Sequence, residues 1–433
     1  YHVAQSVWRS IHNPVTEDII STGFGIPDEV SSEDKYYDRK GSVSLTNSLR
    51  NFHNLYIKRK LIEGASKRGD TLIDQSVGKA GDLPKWVGAK LSFVFGLDLA
   101  RDNIENRMDG ACARYLNYKK RYRNMPDCLF VRANSSLNIR SGDACFTEKS
   151  RLITRAVFGD GPKDEGLLGS GVYKQFGRGK DGFNIVSNQF SIHYFFENKS
   201  TLNNFLRNVS ECCKLGGYFV GTSYDGKKLF KSLENKELAE SIKIIKDGHK
   251  VWEVTKRYDN LRFMNDESCL GYTVDVYQET INKTFSEYLV NYDYLVRLIG
   301  NYGFVPITKD EARDMGLPNA IGDFSELFNK MEEDVKSGFI RRGNIKDALN
   351  MKSYEKQISF LNKYFVFKKV RDVNAKDVAT AIIGSIAEDE EPDIPEIAQA
   401  EDALKKINRP KAKKIRKKMK LFTKKKEETK SDE

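Results

Sequence analysis

Between residues 71 and 223 the chain returns five times to a short, almost unbroken apolar run: TLIDQS (71–76), LSFVFGLD (91–98), CLFVRAN (128–134), FNIVSNQF (183–190) and GGYFVGTS (216–223). Runs of this length without polar alternation suit strands buried on both faces. Between them lie stretches with apolar residues at i, i+3, i+4 and i+7, as over 101–121 and in STLNNFLRNVSECCKLGG (200–217), where a Gly closes the helical pattern. Strand and helix alternating in this way predict an α/β fold, a mostly parallel sheet with helices on both faces.

With 433 residues there is room for two or three domains, or for one large α/β domain with extensions. Three sections are distinguishable. Residues 1–43 carry turn signals (NPVTED, GIPDEVSSED) and read as a domain remnant plus a linker. Residues 44–370 hold the alternating pattern. Residues 371–433 contain an acidic block, AEDEEPDIPEIAQAED, and then KKINRPKAKKIRKKMKLFTKKKEETK. Like-charge blocks repel themselves and read as a solvated tail, with an RNA-binding arm or a nuclear localisation signal as alternatives. The first residue is Tyr1, inside ordered-looking sequence, as expected of a fragment of a longer polypeptide.

A net charge of +11 favours a polyanionic partner such as nucleic acid, or an anionic membrane surface. The six cysteines form no C-x-x-C pair, so neither a zinc-ligand spacing nor a disulfide framework is legible, and reduced thiols in a cytoplasmic protein are expected. No apolar run reaches the roughly 18 residues needed to span a membrane, and no signal peptide is evident.

The chemistry begins after the first strand, in DQSVGKAGDLPKW (74–86). Asp74 ends the strand, and Gly78, Ala80 and Gly81 let a ligand approach the backbone and the next helix N-terminus. The second strand ends in Asp98, placed to accept hydrogen bonds from both ribose hydroxyls. NAD and S-adenosylmethionine both fit these features, although the turn does not follow G-x-G-x-x-G. In the fourth run, FNIVSNQFSIHYFF, Asn188, Gln189 and His193 interrupt an apolar stretch; a buried polar group without a partner costs several kcal/mol. They are either satisfied internally or face a ligand.

LRNFHNLYIKRKLI (49–62), DQSVGKAGDLPKW, GLDLA (96–100), FNIVSNQFSIHYFF and SEYLV (286–290) stand in order and spacing that resemble eukaryotic and viral mRNA cap (guanine-N7) methyltransferases. The opening VWRSIHNPVT also looks like the end of the guanylyltransferase portion of multifunctional capping enzymes of large DNA viruses. The resemblance implies a Rossmann-like class I S-adenosylmethionine-dependent methyltransferase with a mostly parallel seven-stranded sheet. Its substrate would be the 5′ end of capped mRNA, with triphosphatase and guanylyltransferase domains upstream in the same polypeptide, and its location the cytoplasm.

For the cofactor, the resemblance implies Lys58 on the carboxylate, with one extra residue between it and Asn54. It also implies Ser76 and Gly78 on the methionine part, Asp98 on the ribose, Asn134 on the adenine, and Gln189 and Tyr194 near the sulfonium. For the cap it implies His193 and Glu287 around the guanine, Tyr364 closing the pocket, His53 and Asn54 as further contacts, and Lys79 and Lys85 near the phosphates. Glu287 also reads as an acid at a helix start. Departures include Ser76 and Ala80 in place of Gly, Tyr224 and Ser286 in place of Pro, a long connection from Arg114 to Asn134, and an unassigned stretch at 146–182. Guanine N7 has a free lone pair, so the resemblance implies an in-line displacement run by positioning and electrostatics, without a general base or a metal. The rival readings are a non-catalytic or allosteric RNA-binding subunit of this fold, or a methyltransferase with another substrate.

Overall fold

The apolar runs do pair into one sheet. The structure, a computed structural model, describes residues 44–384; the expectations for 1–43, and those for the acidic and basic blocks, lie outside the described residues. The strands are β1 (Thr71–Asp74), β2 (Phe93–Asp98), β3 (Asp127–Arg132), β4 (Phe183–Gln189), β5 (Cys213–Tyr224), β6 (Ser241–Lys246), β7 (His249–Lys256), β8 (Thr273–Gln278), β9 (Lys283–Tyr288), β10 (Phe304–Pro306), β11 (Ile321–Asp323) and β12 (Asn362–Lys369). The main sheet runs β10-β12-β5-β4-β1-β2-β3, and β11 adds an eighth strand beside β12. β1 to β5 pair in parallel, whereas β12 runs antiparallel to β5, β10 and β11.

Both faces are buried, which explains the unbroken apolar runs. Leu72, Val94, Ile185, Val220 and Val366 face one core; Ile73, Phe95, Val186, Phe219 and Phe365 face the other. Two helical expectations are corrected. The stretch 101–121 is two helices, Arg101–Glu105 and Ala111–Lys119. Asn106 breaks it, because its side-chain carbonyl accepts the N–H groups of Met108 and Asp109 in an Asx turn. The stretch 200–217 is helical only as Lys199–Cys212, and β5 begins at Cys213, with Gly216 at φ +77° where the β4–β5 register shifts.

Three further features are not legible from the apolar runs. β6 to β9 form a separate antiparallel sheet in the order β6-β7-β8-β9, which packs through Trp252, Val254, Val274 and Val276 against Tyr224 and Leu229. Glu287 lies on β9, opposite Val274, and the next helix starts only at Tyr292, so it is not an acid at a helix start. Ordered structure also continues past 370, because helix Ala375–Gly384 buries Ala375 and Ala379 against the core. Among the described residues no helix is long and apolar enough to cross a membrane.

Helix Phe324–Lys336 is fastened to the chain ahead of β1 by Asp334. Its carboxylate accepts from the Tyr56 hydroxyl at 2.7 Å and from the Lys60 and Lys330 ammonium groups at 2.9 Å. Burial opposes the charge, but these partners together hold the carboxyl below its usual value. Asp334→Ala should therefore cost about 3 kcal/mol of stability, because the buried donors lose their acceptor. The stabilisation is present above the unfolded carboxyl pKa, near 4, and fades as the pH falls below it. Denaturant titration of both proteins at pH 7 and pH 3 would measure the difference; an equal loss at both pH values would refute it.

Candidate active site

In the main sheet the strand order reverses at β1, which has β2 on one side and β4 on the other. Ligands bind such sheets in the crevice outside the carboxyl ends at that point. β1 stops at Asp74 because the chain turns: the Ser76 N–H donates to the Asp74 carboxylate at 3.2 Å, and the Ser76 hydroxyl to the Gln75 carbonyl at 2.7 Å. Gly78 has φ +55°, and its N–H donates to Asp98 Oδ2 at 2.8 Å. The N–H of Ala100 and the amide of Asn103 each donate to Asp98 Oδ1 at 2.9 Å. A carboxylate has about four lone-pair sites, so these three donors leave Asp98 able to accept from a ribose hydroxyl. Burial pushes its pKa up, and the three bonds pull against that. Ala80, where the resembled family has Gly, sits at φ +51°, a conformation that costs an L-residue about 1 kcal/mol.

Three buried acids and two lysines crowd this turn. Lys58 lies 3.4 Å and Lys85 2.8 Å from the Asp82 carboxylate. Burial would raise the Asp82 pKa, but the two ammonium groups hold it at about 2. Burial, reinforced by the Asp82 charge, pushes Asp74 up to about 8. Asp82 was not singled out in the sequence; its position before Leu83-Pro84 suggests an N-cap, yet its side chain makes no cap bond and holds the lysines instead. Lys85, expected near the cap phosphates, is buried and bonded to Asp82 and to the Gly81 carbonyl. Lys79 is also engaged, 2.7 Å from both Asp102 and Asp109.

The fourth run carries its polar residues to the carboxyl edge of β4 and the turn beyond it. Gln189 is held within the sheet: its amide donates to the Ser187 hydroxyl at 3.4 Å and its carbonyl accepts from the Thr222 hydroxyl at 3.2 Å. Phe190 follows at φ +57°, an unusual conformation for a bulky residue and a mark of stored backbone strain. The chain then turns through Ile192–Glu197, which places His193 beside half-buried Tyr194, their rings 4.2 Å apart. Across from them β9 brings Glu287, whose Oε2 is 3.7 Å from His193 Nε2. That is too long for a hydrogen bond. Burial lowers the His193 pKa to about 3 and raises that of Glu287 to about 8. Burial thus favours the neutral form of both, which argues against an ion pair between them. Neither nitrogen of His193 has a hydrogen-bond partner among the described residues.

The extra residue between Asn54 and Lys58 is explained by local geometry. Residues Phe52–Ile57 form a π-helical segment inside the helical stretch ahead of β1. A π-turn absorbs one inserted residue and is common at functional sites. Here it lets both His53 and Lys58 face Phe190: His53 stacks on its ring at 5.2 Å, and Lys58 Nζ lies 5.6 Å from its centroid. His53 shares a hydrogen bond with Ser359 at 2.8 Å, and burial, with Lys58 nearby, lowers its pKa to about 3. Asn54 instead spends its amide on the Arg50 carbonyl in its own helix. Asn134 follows β3 at the crevice rim, with its side-chain carbonyl held by the Ser136 N–H. Tyr364 shares a row with Thr222 and Gln189 across β12, β5 and β4, but its hydroxyl is bound to Asn319, donating to the carbonyl at 3.0 Å and accepting from the N–H at 3.1 Å. It is a core residue whose ring, not its hydroxyl, lies in the row of the site.

A doubly wound sheet with a small-residue turn after β1 and a ribose-competent acid ending β2 is Rossmann-like, and the family match places it in the class I S-adenosylmethionine-dependent methyltransferases. More narrowly, the chain belongs to the mRNA (guanine-N(7))-methyltransferase domain family, whose model matches residues 31–370. It is 24% identical over 403 residues to the "Probable mRNA-capping enzyme" of Acanthamoeba polyphaga mimivirus, which covers 86% of this chain and 33% of that protein. It is 27% identical over 341 residues to the mRNA cap guanine-N(7) methyltransferase of Saccharomyces cerevisiae, 77% of this chain and 66% of that one. The Candida glabrata protein of the same name is 25% identical over 327 residues, covering 75% and 67%. The chain thus spans a third of the mimivirus protein and about two thirds of the yeast proteins.

Proposed function

We propose that the chain transfers a methyl group from S-adenosylmethionine to guanine N7 of the GpppN cap at the 5′ end of mRNA. The observation that carries this reading is Glu287, a buried carboxyl that lies 3.7 Å from an imidazole neither of whose nitrogens has a hydrogen-bond partner among the described residues. A buried acceptor of this kind is costly unless a ligand completes it. The imino N–H and exocyclic amine of guanine present two adjacent donors that a carboxylate can accept together; adenine does not. When bound, S-adenosylmethionine supplies a methyl group on a positively charged sulfur.

The residues on the crevice then have separate tasks. Asp98 accepts from the ribose, and Gly78 and Ser76 border the methionine part. Lys58 serves the carboxylate, Asn134 the adenine, and Gln189 and Tyr194 stand near the sulfur. Guanine N7 needs no proton removed, so His193 orients the ring in its neutral form. Rate acceleration comes from holding the nucleophile in line and from fixed dipoles, as suits a site whose histidine stays neutral. The direct test is transfer of a labelled methyl group to GpppA-capped RNA, with uncapped RNA and GTP alongside, followed by nuclease digestion. Cap-dependent 7-methylguanosine is expected; cofactor binding without transfer would favour a non-catalytic role.

Protonation offers a second check. Without a cap beside it, Glu287 is mostly protonated at pH 7, since burial raises its pKa to about 8. Only its ionised form accepts both guanine N–H groups, so cap binding should release a proton and tighten as the pH rises towards 8. Titration calorimetry of GpppA in buffers of different ionisation enthalpy would read the release, and Glu287→Gln should abolish it. Proton uptake, or the same release in the variant, would contradict this.

A further inference from the structure

Two stretches that depart from the family's pattern, the long connection after Arg114 and the segment 146–182, meet at the sheet edge remote from the crevice. In a parallel sheet the segments leading into each strand share one edge. Here hydrogen bonds join them. The Gln175 amide donates to Asp127 at the start of β3 at 3.1 Å. The Arg178 guanidinium donates to the Ser92 hydroxyl, just before β2, at 2.6 Å, and that hydroxyl donates to the Gly69 carbonyl, just before β1, at 2.6 Å. With strands about 4.8 Å apart, this rim runs about 15 Å from β3 to β4.

The rim is strongly cationic. Segments 67–70, 89–92, 119–127 and 174–181 hold ten lysines and arginines against three aspartates. Lys119 pairs with Asp127, but exposed Lys120, Arg121, Arg123, Lys174 and Lys180 have no carboxylate partner among the described residues. Aromatic rings lie among them: Tyr118 and Tyr122 stack at 5.5 Å, and Tyr122 is 49% exposed. Unpaired cations along an extended rim with open aromatic faces match single-stranded nucleic acid, whose phosphates take the cations and whose bases stack.

We propose that this rim binds the body of the transcript downstream of the cap. The proposal rests on the cap-methylation reading. β3 is the last strand of the sheet, and at about 3.3 Å per residue its length is about 20 Å, so an RNA leaving the crevice reaches the rim by passing this open edge. The cap pocket then selects the 5′ end, and the rim supplies sequence-independent affinity.

The test compares methylation of the GpppA dinucleotide with that of a capped single-stranded RNA of about 25 nucleotides, using the full chain and the exposed-surface variant Lys120→Glu/Arg121→Glu/Arg123→Glu. Dinucleotide kinetics should be unchanged, while KM for the capped RNA rises about tenfold or more. For uncapped RNA, the slope of log affinity against log salt should fall by about 2, at roughly 0.7 per lost phosphate contact. Lys174→Glu/Lys180→Glu, on the other departing segment, should act in the same direction. Unchanged KM and salt slope in both variants would overturn the proposal, and so would loss of polyglutamate binding with RNA binding intact, which would assign the rim to an acidic protein. If neither capped substrate is methylated but RNA affinity still depends on the rim, the cap reading fails and the rim survives.

Discussion

Glu287→Ala should lower kcat/KM for capped RNA by about 100- to 1000-fold, while the affinity for S-adenosylhomocysteine stays within about twofold. Removing one partner of a buried, charge-assisted hydrogen-bond pair costs about 3–4 kcal/mol, and each 1.36 kcal/mol is a factor of ten. The loss comes from the guanine donors left facing an apolar wall. Glu287→Gln should fare little better, because its amide presents one donor to another. His193→Ala should cost less, about tenfold, since a neutral imidazole 3.7 Å from Glu287 contributes shape and orientation without charge. Steady-state kinetics of the three variants with GpppA-capped RNA, paired with calorimetry of the cofactor product, would measure this ranking. Equal losses for Glu287→Ala and His193→Ala, with cofactor affinity intact, would argue against it.

Asp98→Ala should weaken S-adenosylhomocysteine binding by at least about 100-fold and also destabilise the protein by about 3 kcal/mol. Two effects coincide because the carboxylate has two tasks. It holds the N–H groups of Gly78 and Ala100 and the Asn103 amide, and it keeps an acceptor for the ribose. Without it, those donors are left buried and unpaired. Asp98→Asn should be nearly as damaging, since whichever way its amide turns, an NH2 group meets one of the N–H donors. Calorimetric binding and denaturant unfolding together would read both losses. A variant that lost affinity but kept full stability would mean that the three bonds do not hold the turn.

The contrast between these residues and the lysines shows where a one-dimensional pattern stops being informative. Asp98 and Gly78 are legible because a βα turn fixes their separation: the chain between them is one short helix and one strand. The same spacing cannot say where a long side chain points. Lys85 lies in the matching motif, yet burial turns it onto Asp82, and that partner is visible only once Lys58 arrives from the preceding helix. The extra residue before Lys58 reads as a mismatch in the sequence. In three dimensions it is a π-turn that keeps His53 and Lys58 on the same ring of Phe190.

By itself the sequence determined the parallel sheet, its five leading strands and the carboxyl-edge position of the crevice. Those follow from local periodicity and from the burial of both sheet faces, which leave their mark residue by residue. Only the tertiary structure decided that Glu287 rides on a strand of a second sheet and comes within 3.7 Å of His193. That contact joins residues far apart in the chain, and the alternation in KVWEVTK and TVDVYQ that builds the second sheet announces strands without saying what they face. The same holds for the cationic rim, because β3, β2, β1 and β4 are adjacent through the sheet's reversed order and not through the order of the chain.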